Sequence, residues 1–180
     1  SEDGKTVTVK LRSGVAFHDG TPFNADAVIN TFNCIKDPDF GSTRASLASS
    51  IESMEAPDEN TVVFHLSYPD GVFLAKLSHV NSAIVSPTAQ QNQDLMVQPC
   101  GTGPYKFVSA VSGSNVVLTR NDEYWGQEGQ IKDVTYTVIT EESTALSRLE
   151  TGEADLMPSI TVENLSRVEA MPNVTLATAD

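Results

Sequence analysis

The densest run of polar and reactive side chains lies at residues 17–28, which read FHDGTPFNADAV. His18 beside Asp19 could act as an acid–base pair or as metal ligands. The same residue types also build a tight turn, in which glycine adopts positive φ. Asn24 then suits a helix N-cap, and Asp26 suits the positive end of the helix dipole. Because each polar residue has a backbone role of this kind, we interpret the run as architecture rather than as a catalytic or ligand site.

Metal and nucleophile motifs are missing from the sequence. None of the three histidines, His18, His65 and His79, has another ligand type at zinc spacing, and the chain contains no HExxH or CxxC. It also contains no GxSxG nucleophile motif. We therefore predict no catalytic residues, no metal site and no cofactor.

A glycine-rich stretch, CGTGPY at residues 100–105, superficially suggests a phosphate-binding loop. It lacks the Lys-Ser/Thr of a P-loop and the third glycine of a dinucleotide fingerprint. A strand pattern follows it, whereas a phosphate loop should lead into a helix N-terminus. The stretch therefore predicts a sharp turn that lets backbone pack closely.

The two cysteines, Cys34 and Cys100, fit no zinc or redox motif. They are either two half-buried thiols or, outside the cytoplasm, a disulfide that closes a long loop. The sequence leaves both possibilities open.

Composition narrows the class of protein. The chain has 180 residues and a formal net charge of −13. This charge disfavours nucleic acid and anionic membrane surfaces, both of which attract basic residues. No apolar run approaches transmembrane length and no signal peptide is recognised, so a mature or trimmed chain is expected.

Hydrophobic periodicity predicts a mixed α/β fold. In the first part of the chain it predicts strands and helices, with one uncertain helix near residues 47–54 and turn chemistry at 56–60. The strands are expected at 6–11, 61–67, 83–86, 105–110 and 115–120, the helices at 25–35 and 71–78, and a loop or short helix at 88–98. After a Gly-rich boundary at 125–130, strands are expected at 131–139, 154–158 and 174–179, and helices at 141–150 and 161–171.

Five stretches together resemble the family 5 extracytoplasmic solute-binding proteins of ABC importers. They occur in that family's order and at about its spacing: DGKTVTVKLRSGVAFHDGTPFNADAV (3–28), APDENTVVFHL (56–66), GTGPYKF (101–107), RNDEYWG (120–126) and SRLETGEADL (147–156). Members of this family bind oligopeptides, dipeptides, nickel complexes and related solutes.

The resemblance implies a periplasmic-binding-protein-like fold of two lobes, of which this chain holds part of the first. Residues 1–125 would be the small subdomain of lobe I and residues 126–180 part of its core, with lobe II and the export signal or lipid anchor outside the chain. The implied function is capture of a small solute, expected to be an oligopeptide or dipeptide, for delivery to ABC permease subunits. The implied location is extracytoplasmic, in the periplasm or lipid-anchored at the cell surface.

The resemblance also implies where a ligand would lie. In nickel-binding relatives, loop residues after the first long helix and near the strand in the middle of the subdomain approach the ligand. The corresponding segments are GSTRAS (41–46) and HVNSA (79–83), which nominate Arg44, His79 and Asn81. Arg44 could bind a carboxylate through two parallel hydrogen bonds.

Two other functions stay open at this point. One is an adaptor or sensor that presents its cargo to a partner other than a permease. The other is a small enzyme domain that uses a similar α/β fragment, against which the missing catalytic motifs weigh.

Overall fold

The computed structural model describes residues 1–92 and 94–177. Six strands and five α-helices lie along this part of the chain. The strands are β1 (Thr6–Lys10), β2 (Ile51–Asp58), β3 (Thr61–Leu66), β4 (Tyr105–Val111), β5 (Asn115–Arg120) and β6 (Asp133–Thr137), and the helices are α1 (Ala25–Lys36), α2 (Phe73–Leu77), α3 (Pro87–Asn92), α4 (Glu142–Thr151) and α5 (Leu165–Glu169). Short 3-10 helices cover Ala45–Ala48, Val80–Ser82 and Val162–Asn164. The predicted mixed α/β class is confirmed.

The chain separates into two compact units. The first comprises residues 1–110 and 117–135, and the second comprises residues 111–116 and 136–180. The predicted subdomain limits, 1–125 and 126–180, follow the family resemblance and stay a prediction.

The core of the first unit forms where α1 packs on a three-stranded antiparallel sheet of order β1-β3-β2. The predicted alternation of β1 is confirmed, since Val7 pairs with Phe64 and Val9 with Val62 on the face that packs against the core. The predicted stripe of α1 is also confirmed, because Phe32 and the other apolar positions of the stripe are buried. Phe64 lies at the centre, with ring centroids 5.7 Å from Phe32 and 5.2 Å from Phe73.

The helix predicted near residues 47–54 is wrong beyond its first turn. A 3-10 helix ends at Ala48, and the chain then enters β2 at Ile51. The register shifts between Ile51 and Ser53 and again between Glu55 and Asp58, around Pro57, which has no N–H for the ladder. These irregularities interrupt the strand-like alternation of apolar and polar residues, so the sequence did not predict β2. The turn expected at 56–60 was therefore placed too early, since β2 continues to Asp58.

Asn24 begins α1 as the sequence predicts. Its side-chain Oδ1 accepts a hydrogen bond from the Ala27 N–H at 3.0 Å, and the helix ends at Lys36 with Asp37 as its C-cap. This bond satisfies one of the donors that a helix N-terminus otherwise leaves unpaired.

We expect Asn24→Ala to lower the free energy of unfolding by about 1 kcal/mol, the usual contribution of a side-chain cap. The matched control is Asn33→Ala at an exposed interior position of the same helix, where alanine has the higher helix propensity. Urea denaturation measures both variants. Equal destabilisation by the two substitutions would mean that the cap contributes nothing of its own.

Strands β4, β5 and β6 form a second sheet in that order. The predicted turn at 112–114 joins β4 to β5, with Gly113 at φ 71°. The strand predicted at 83–86 is absent, because its N–H groups pair with other partners. Val85 N–H bonds to Thr31 Oγ1 of α1 at 3.3 Å, and Ser86 N–H bonds to the Cys100 carbonyl at 3.2 Å.

The second unit has a small core of Leu146, Val168 and Met171. Helix α4 ends as predicted at Gly152, which takes φ 75°. The strand predicted at 154–158 is wrong, since the N–H of Ala154 closes the end of α4 on the Arg148 carbonyl at 3.1 Å.

The helix predicted at 161–171 is shorter than expected, beginning as a 3-10 turn and becoming α-helical only over Leu165–Glu169. Thr161 does not cap it. Its N–H and hydroxyl both donate to the Glu142 carboxylate, and this backbone bond lowers the pKa of Glu142. Residues 174–177 are not in a strand, and the rest of the strand predicted at 174–179 lies outside the described residues.

Candidate functional site

A cavity of about 690 Å³ opens in the first unit, within the usual range for small-molecule sites. It lies between one side of α1, residues 40–44, residues 81–85, and α3 with residues 94–96. Its wall is largely apolar, with Ile35 and Val85 among its residues. A wall of this kind favours partly apolar ligands, and the few polar groups in it determine how a ligand is oriented.

Arg44 is one of those polar groups. A turn closed by the Gly41 N–H on the Pro38 carbonyl precedes it, and its own N–H bonds to Ser42 Oγ at 3.2 Å. The guanidinium makes no hydrogen bond or ion pair with any residue in 1–92 or 94–177. Its five donors are therefore available to a carboxylate.

The other two nominated residues differ in their placement. Asn81 lines the same cavity as Arg44, from the 3-10 helix Val80–Ser82. His79 does not line it, and its Nδ1 accepts the Asn81 N–H at 3.1 Å, which caps that helix. The structure thus brings Arg44 and Asn81 to one cavity and gives His79 a backbone role.

Several polar lining residues escaped the sequence analysis, among them Cys34, Gln90 and Asp94. Cys34 follows Thr31 by three residues on α1, and this helical spacing could have identified one lining face. Gln90 Nε2 donates to Cys34 Sγ at 2.9 Å, while Gln90 Oε1 accepts from Asn30 Nδ2 at 2.7 Å. Asp94 carried no periodic signal, because it follows α3 in an irregular segment.

Both cysteines are free thiols, which answers the question that the sequence left open. Cys34 is half-buried and Cys100 is buried. Burial raises the pKa of the Cys100 thiol, and the neighbouring Asp19 carboxylate adds to the effect through its charge.

Polar residues of the run FHDGTPFNADAV (residues 17–28) form hydrogen bonds with other groups of the protein. Asp19 accepts hydrogen bonds from Thr21 N–H at 3.0 Å and from Ser86 Oγ at 2.5 Å. Burial alone would raise the pKa of Asp19, but these bonds from Ser86 and Thr21 outweigh it and lower the pKa. The bond to Ser86 is long-range, so the run joins distant loops as well as forming its own turn.

The CGTGPY stretch (residues 100–105) contacts this run through its backbone carbonyl groups. The His18 N–H donates to the Gly101 carbonyl at 2.9 Å, and the His18 ring contacts the Gly103 carbonyl at 3.0 Å. Trp125 Nε1, from outside the run, donates to the Thr102 carbonyl at 3.0 Å. A Cβ on Gly101 or Gly103 would meet nothing within 4 Å. The close packing here therefore uses carbonyl groups rather than missing side chains.

Within the described ranges, no group of three or more His, Cys, Asp or Glu side chains could hold a metal ion. No helix in the same part of the chain is long and apolar enough to cross a membrane.

A second cavity, of about 740 Å³, lies in the second unit. Among the described residues that line it, Glu150 and Asp155 are charged and none is Lys, Arg or His. The cavity in the first unit combines an apolar wall with a cation that has no partner in the part of the chain that the structure describes, and it is the stronger candidate for an organic ligand.

The chain thus combines a mixed α/β fold with a ligand-sized cavity whose wall is largely apolar. The whole chain, residues 1–180, matches the bacterial extracellular solute-binding proteins, family 5 Middle, and it belongs to that family. The resemblance found from the five stretches is thereby confirmed.

The proteins to which this chain is similar include several that are named as binding proteins. A glutathione-binding protein, GsiB of Pectobacterium atrosepticum, is 35% identical over 173 residues, which is 94% of this chain and 34% of GsiB. A periplasmic binding protein, DppA of Helicobacter pylori, solved with the peptide STSA, has a TM-score of 0.85 at 30% identity, covering 96% of this chain and 38% of that one. The binding protein AgaA of A. tumefaciens R10, solved with agropinic acid, has a TM-score of 0.87 at 29% identity, covering 96% and 35%.

The chain thus spans about a third of the length of the curated relatives it matches. Its structural neighbours are two-lobe periplasmic binding proteins, so it corresponds to part of that fold. Family members are transport binding proteins rather than enzymes, and they work with ABC permeases on small-molecule or peptide ligands.

Proposed function

We propose that this chain is part of the substrate-binding component of an ABC importer. The whole protein would capture an oligopeptide or dipeptide in a cleft between two lobes and deliver it to permease subunits. Residues 1–125 and 126–180 would belong to lobe I, with lobe II supplied by sequence outside this chain. The protein would have no enzymatic activity and would act outside the cytoplasm, in the periplasm or at the cell surface on a lipid anchor.

The observation that carries this proposal is the guanidinium of Arg44, which lines a largely apolar cavity and has no hydrogen-bond or ion-pair partner among residues 1–92 and 94–177. A carboxylate on a small organic solute matches such a group, and an apolar wall matches the rest of the solute. Family membership and the peptide bound to the Helicobacter pylori relative support the same class of ligand.

Asn81 is proposed as a second contact, since its amide both donates and accepts hydrogen bonds and lines the same cavity. His79 is also proposed. Because its Nδ1 already accepts the Asn81 N–H, a ligand contact would use Nε2.

In the longer protein to which this chain is proposed to belong, Arg44→Ala should weaken solute binding about 10- to 100-fold. This is the loss expected when a charge-assisted hydrogen-bond pair of about 1.5 to 3 kcal/mol is removed. Calorimetric titration with the natural solute, or with a peptide identified by screening, measures the change. The control is Arg148→Ala, because Arg148 lies on α4, far along the chain from the cavity-lining residues. An unchanged affinity after Arg44→Ala would remove Arg44 from the site.

Uptake by cells separates the importer from an adaptor or sensor. Deletion of the gene should abolish uptake of the bound solute, and re-expression should restore it. A protein that binds the solute while uptake is unaffected would favour the adaptor or sensor function.

A further inference from the structure

Two asparagine triplets in the second unit have the pattern Asn-X-Ser/Thr, in which X is not proline. They are Asn164-Leu165-Ser166 and Asn173-Val174-Thr175, and no other asparagine of the chain begins this pattern. The pattern is the acceptor sequence for N-linked glycans on exported proteins, although short patterns also arise by chance. The folded surroundings of the two asparagines therefore decide which of them can carry a glycan.

Asn173 lies in an exposed turn. The turn follows α5, and the Val174 N–H donates to the Met171 carbonyl across it at 3.5 Å. Asn173 is exposed, and its side chain makes no hydrogen bond with any residue in 1–92 or 94–177. Thr175, which supplies the hydroxyl of the pattern, is exposed as well. A bulky polar group on Asn173 Nδ2 would therefore displace no hydrogen bond.

Asn164 has different surroundings. It ends the 3-10 helix Val162–Asn164, is half-buried, and its Nδ2 donates to Thr161 Oγ1 at 3.1 Å. Thr161 Oγ1 itself bonds to the Glu142 carboxylate of α4 at 3.0 Å. A glycan on Asn164 Nδ2 would have to displace contacts between these elements, so the fold disfavours this asparagine as an acceptor.

We propose that Asn173 is an N-glycosylation site of the longer protein and that Asn164 is not. In the reaction, Asn173 Nδ2 forms a bond to C1 of the first sugar of an oligosaccharide that is carried on a lipid pyrophosphate. The bond between this C1 and the pyrophosphate oxygen breaks, the lipid pyrophosphate leaves, and the amide loses one proton. The proposal goes beyond solute capture, and it rests on one part of the proposed function, the location outside the cytoplasm.

A glycan on Asn173 would also define the surroundings of this turn. Asn173 lines the second cavity together with Leu156, which is 76% exposed. Because glycans are bulky and solubilising, a glycan here would keep this side of the unit in solvent. The turn would then be excluded from any interface with the second lobe or with permease subunits.

Trypsin separates the two patterns for measurement. Cleavage after the two arginines of this unit gives the peptide 149–167, which contains Asn164, and a peptide that begins at Val168 and contains Asn173. The longer protein is purified from the extracytoplasmic fraction of the organism that encodes it, and both peptides are analysed by mass spectrometry. The Val168 peptide should carry added hexose or N-acetylhexosamine masses on Asn173 in most copies, whereas the peptide 149–167 should have its unmodified mass.

Three variants expressed in the same organism test the role of the pattern. Thr175→Ala keeps Asn173 but removes the hydroxyl of the pattern, so it should abolish the added mass. Thr175→Ser retains a hydroxyl and should keep the added mass. Asn164→Gln is the matched control and should leave the modification of Asn173 unchanged. Thr175 is exposed, and circular dichroism verifies that each variant keeps its fold.

An unmodified Val168 peptide in the extracytoplasmic protein would overturn the proposal. Added sugar that persists in Thr175→Ala would overturn it too, because attachment would then not depend on the acceptor pattern. Equal modification of Asn164 and Asn173 would contradict the selection by the fold. A protein confined to the cytoplasm would contradict the proposed location and, with it, the glycan. The uptake experiment decides the importer function by itself, so an unmodified Asn173 leaves that function untouched.

Discussion

Phe64→Ala is expected to lower the free energy of unfolding by about 3 to 5 kcal/mol, the range for deleting a buried phenylalanine. Phe64 is 1% exposed and contacts two other rings edge to face. Its removal leaves a cavity between α1 and the sheet and also ends both aromatic contacts. A loss of this size is a large share of the stability of a small domain.

The matched control is Phe40→Ala. Phe40 is the same residue type at 59% exposure, so its truncation should change the free energy of unfolding by less than about 1 kcal/mol. Urea denaturation followed by circular dichroism measures both variants. If the two substitutions lower the free energy of unfolding by the same amount, the packing of α1 on the first sheet cannot be the main source of stability in this unit.

Asp70→Asn is the second substitution with a large expected effect, about 2 to 4 kcal/mol, because it leaves a partly buried ammonium group without its counterion. The Asp70 side chain is 5% exposed and accepts hydrogen bonds from Lys76 Nζ and from Ser50 Oγ, both at 2.7 Å. These bonds attach α2 to the end of the Ala45–Ala48 segment. Asp122→Asn is the control, since Asp122 pairs with Arg120 at 2.8 Å while 68% exposed, and exposed pairs contribute little.

The effect of Asp70→Asn depends on pH in a defined direction. The hydrogen bonds from Lys76 and Ser50 hold the pKa of Asp70 below its ordinary value of 3.8. The unfolded chain therefore takes up a proton first as the pH falls, and stability from the carboxylate is complete above that value. The difference in unfolding free energy between the protein and Asp70→Asn should be constant at neutral pH. It should shrink as the pH falls below 3.8 toward the lowered pKa of the folded state. A difference that stays constant into that acidic range would mean that Asp70 is not the titrating group.

The secondary structure of the first unit was predicted well wherever a segment keeps one hydrophobic period, either that of a helix or that of a strand. Helix α1 carries its cap, its stripe and its stop within one run of sequence, so no distant contact was needed to place it. Strand β2 is different, because Pro57 and two register shifts interrupt its alternation, and its strand state depends on pairing with β3. The extended segment at 83–86 illustrates the converse, since its composition suits a strand but its N–H groups find partners on a helix and a loop.

The candidate site was only partly accessible from sequence. Arg44 and Asn81 were nominated through the family resemblance, and they line one cavity. Cys34 and Asp94 line it too, yet no motif connects positions so far apart in the chain. Their proximity follows from the packing of α1, α3 and two loops, which hydrophobic periodicity does not encode. His79 is the opposite case: it was nominated as a ligand contact, but its ring nitrogen Nδ1 accepts a backbone hydrogen bond from Asn81.

The relatives differ in the solutes with which they are named or were solved, namely glutathione, the peptide STSA and agropinic acid. A shared fold therefore does not specify the solute, and we propose that the lining of the cavity in the first unit contributes to the choice. In this chain the lining offers one cation, one anion and an apolar wall. The proposed function rests on two of these features, the guanidinium of Arg44 and the apolar wall.

The most direct test of the account is mass spectrometry of the solute released when the longer protein is purified and denatured. The account predicts an oligopeptide or dipeptide, whose carboxylate would meet Arg44, in stoichiometric amount. The solute should be lost from Arg44→Met and retained by Arg148→Met. A protein that carries no solute and binds none from a peptide library, or one that keeps its solute unchanged after Arg44→Met, would contradict the account.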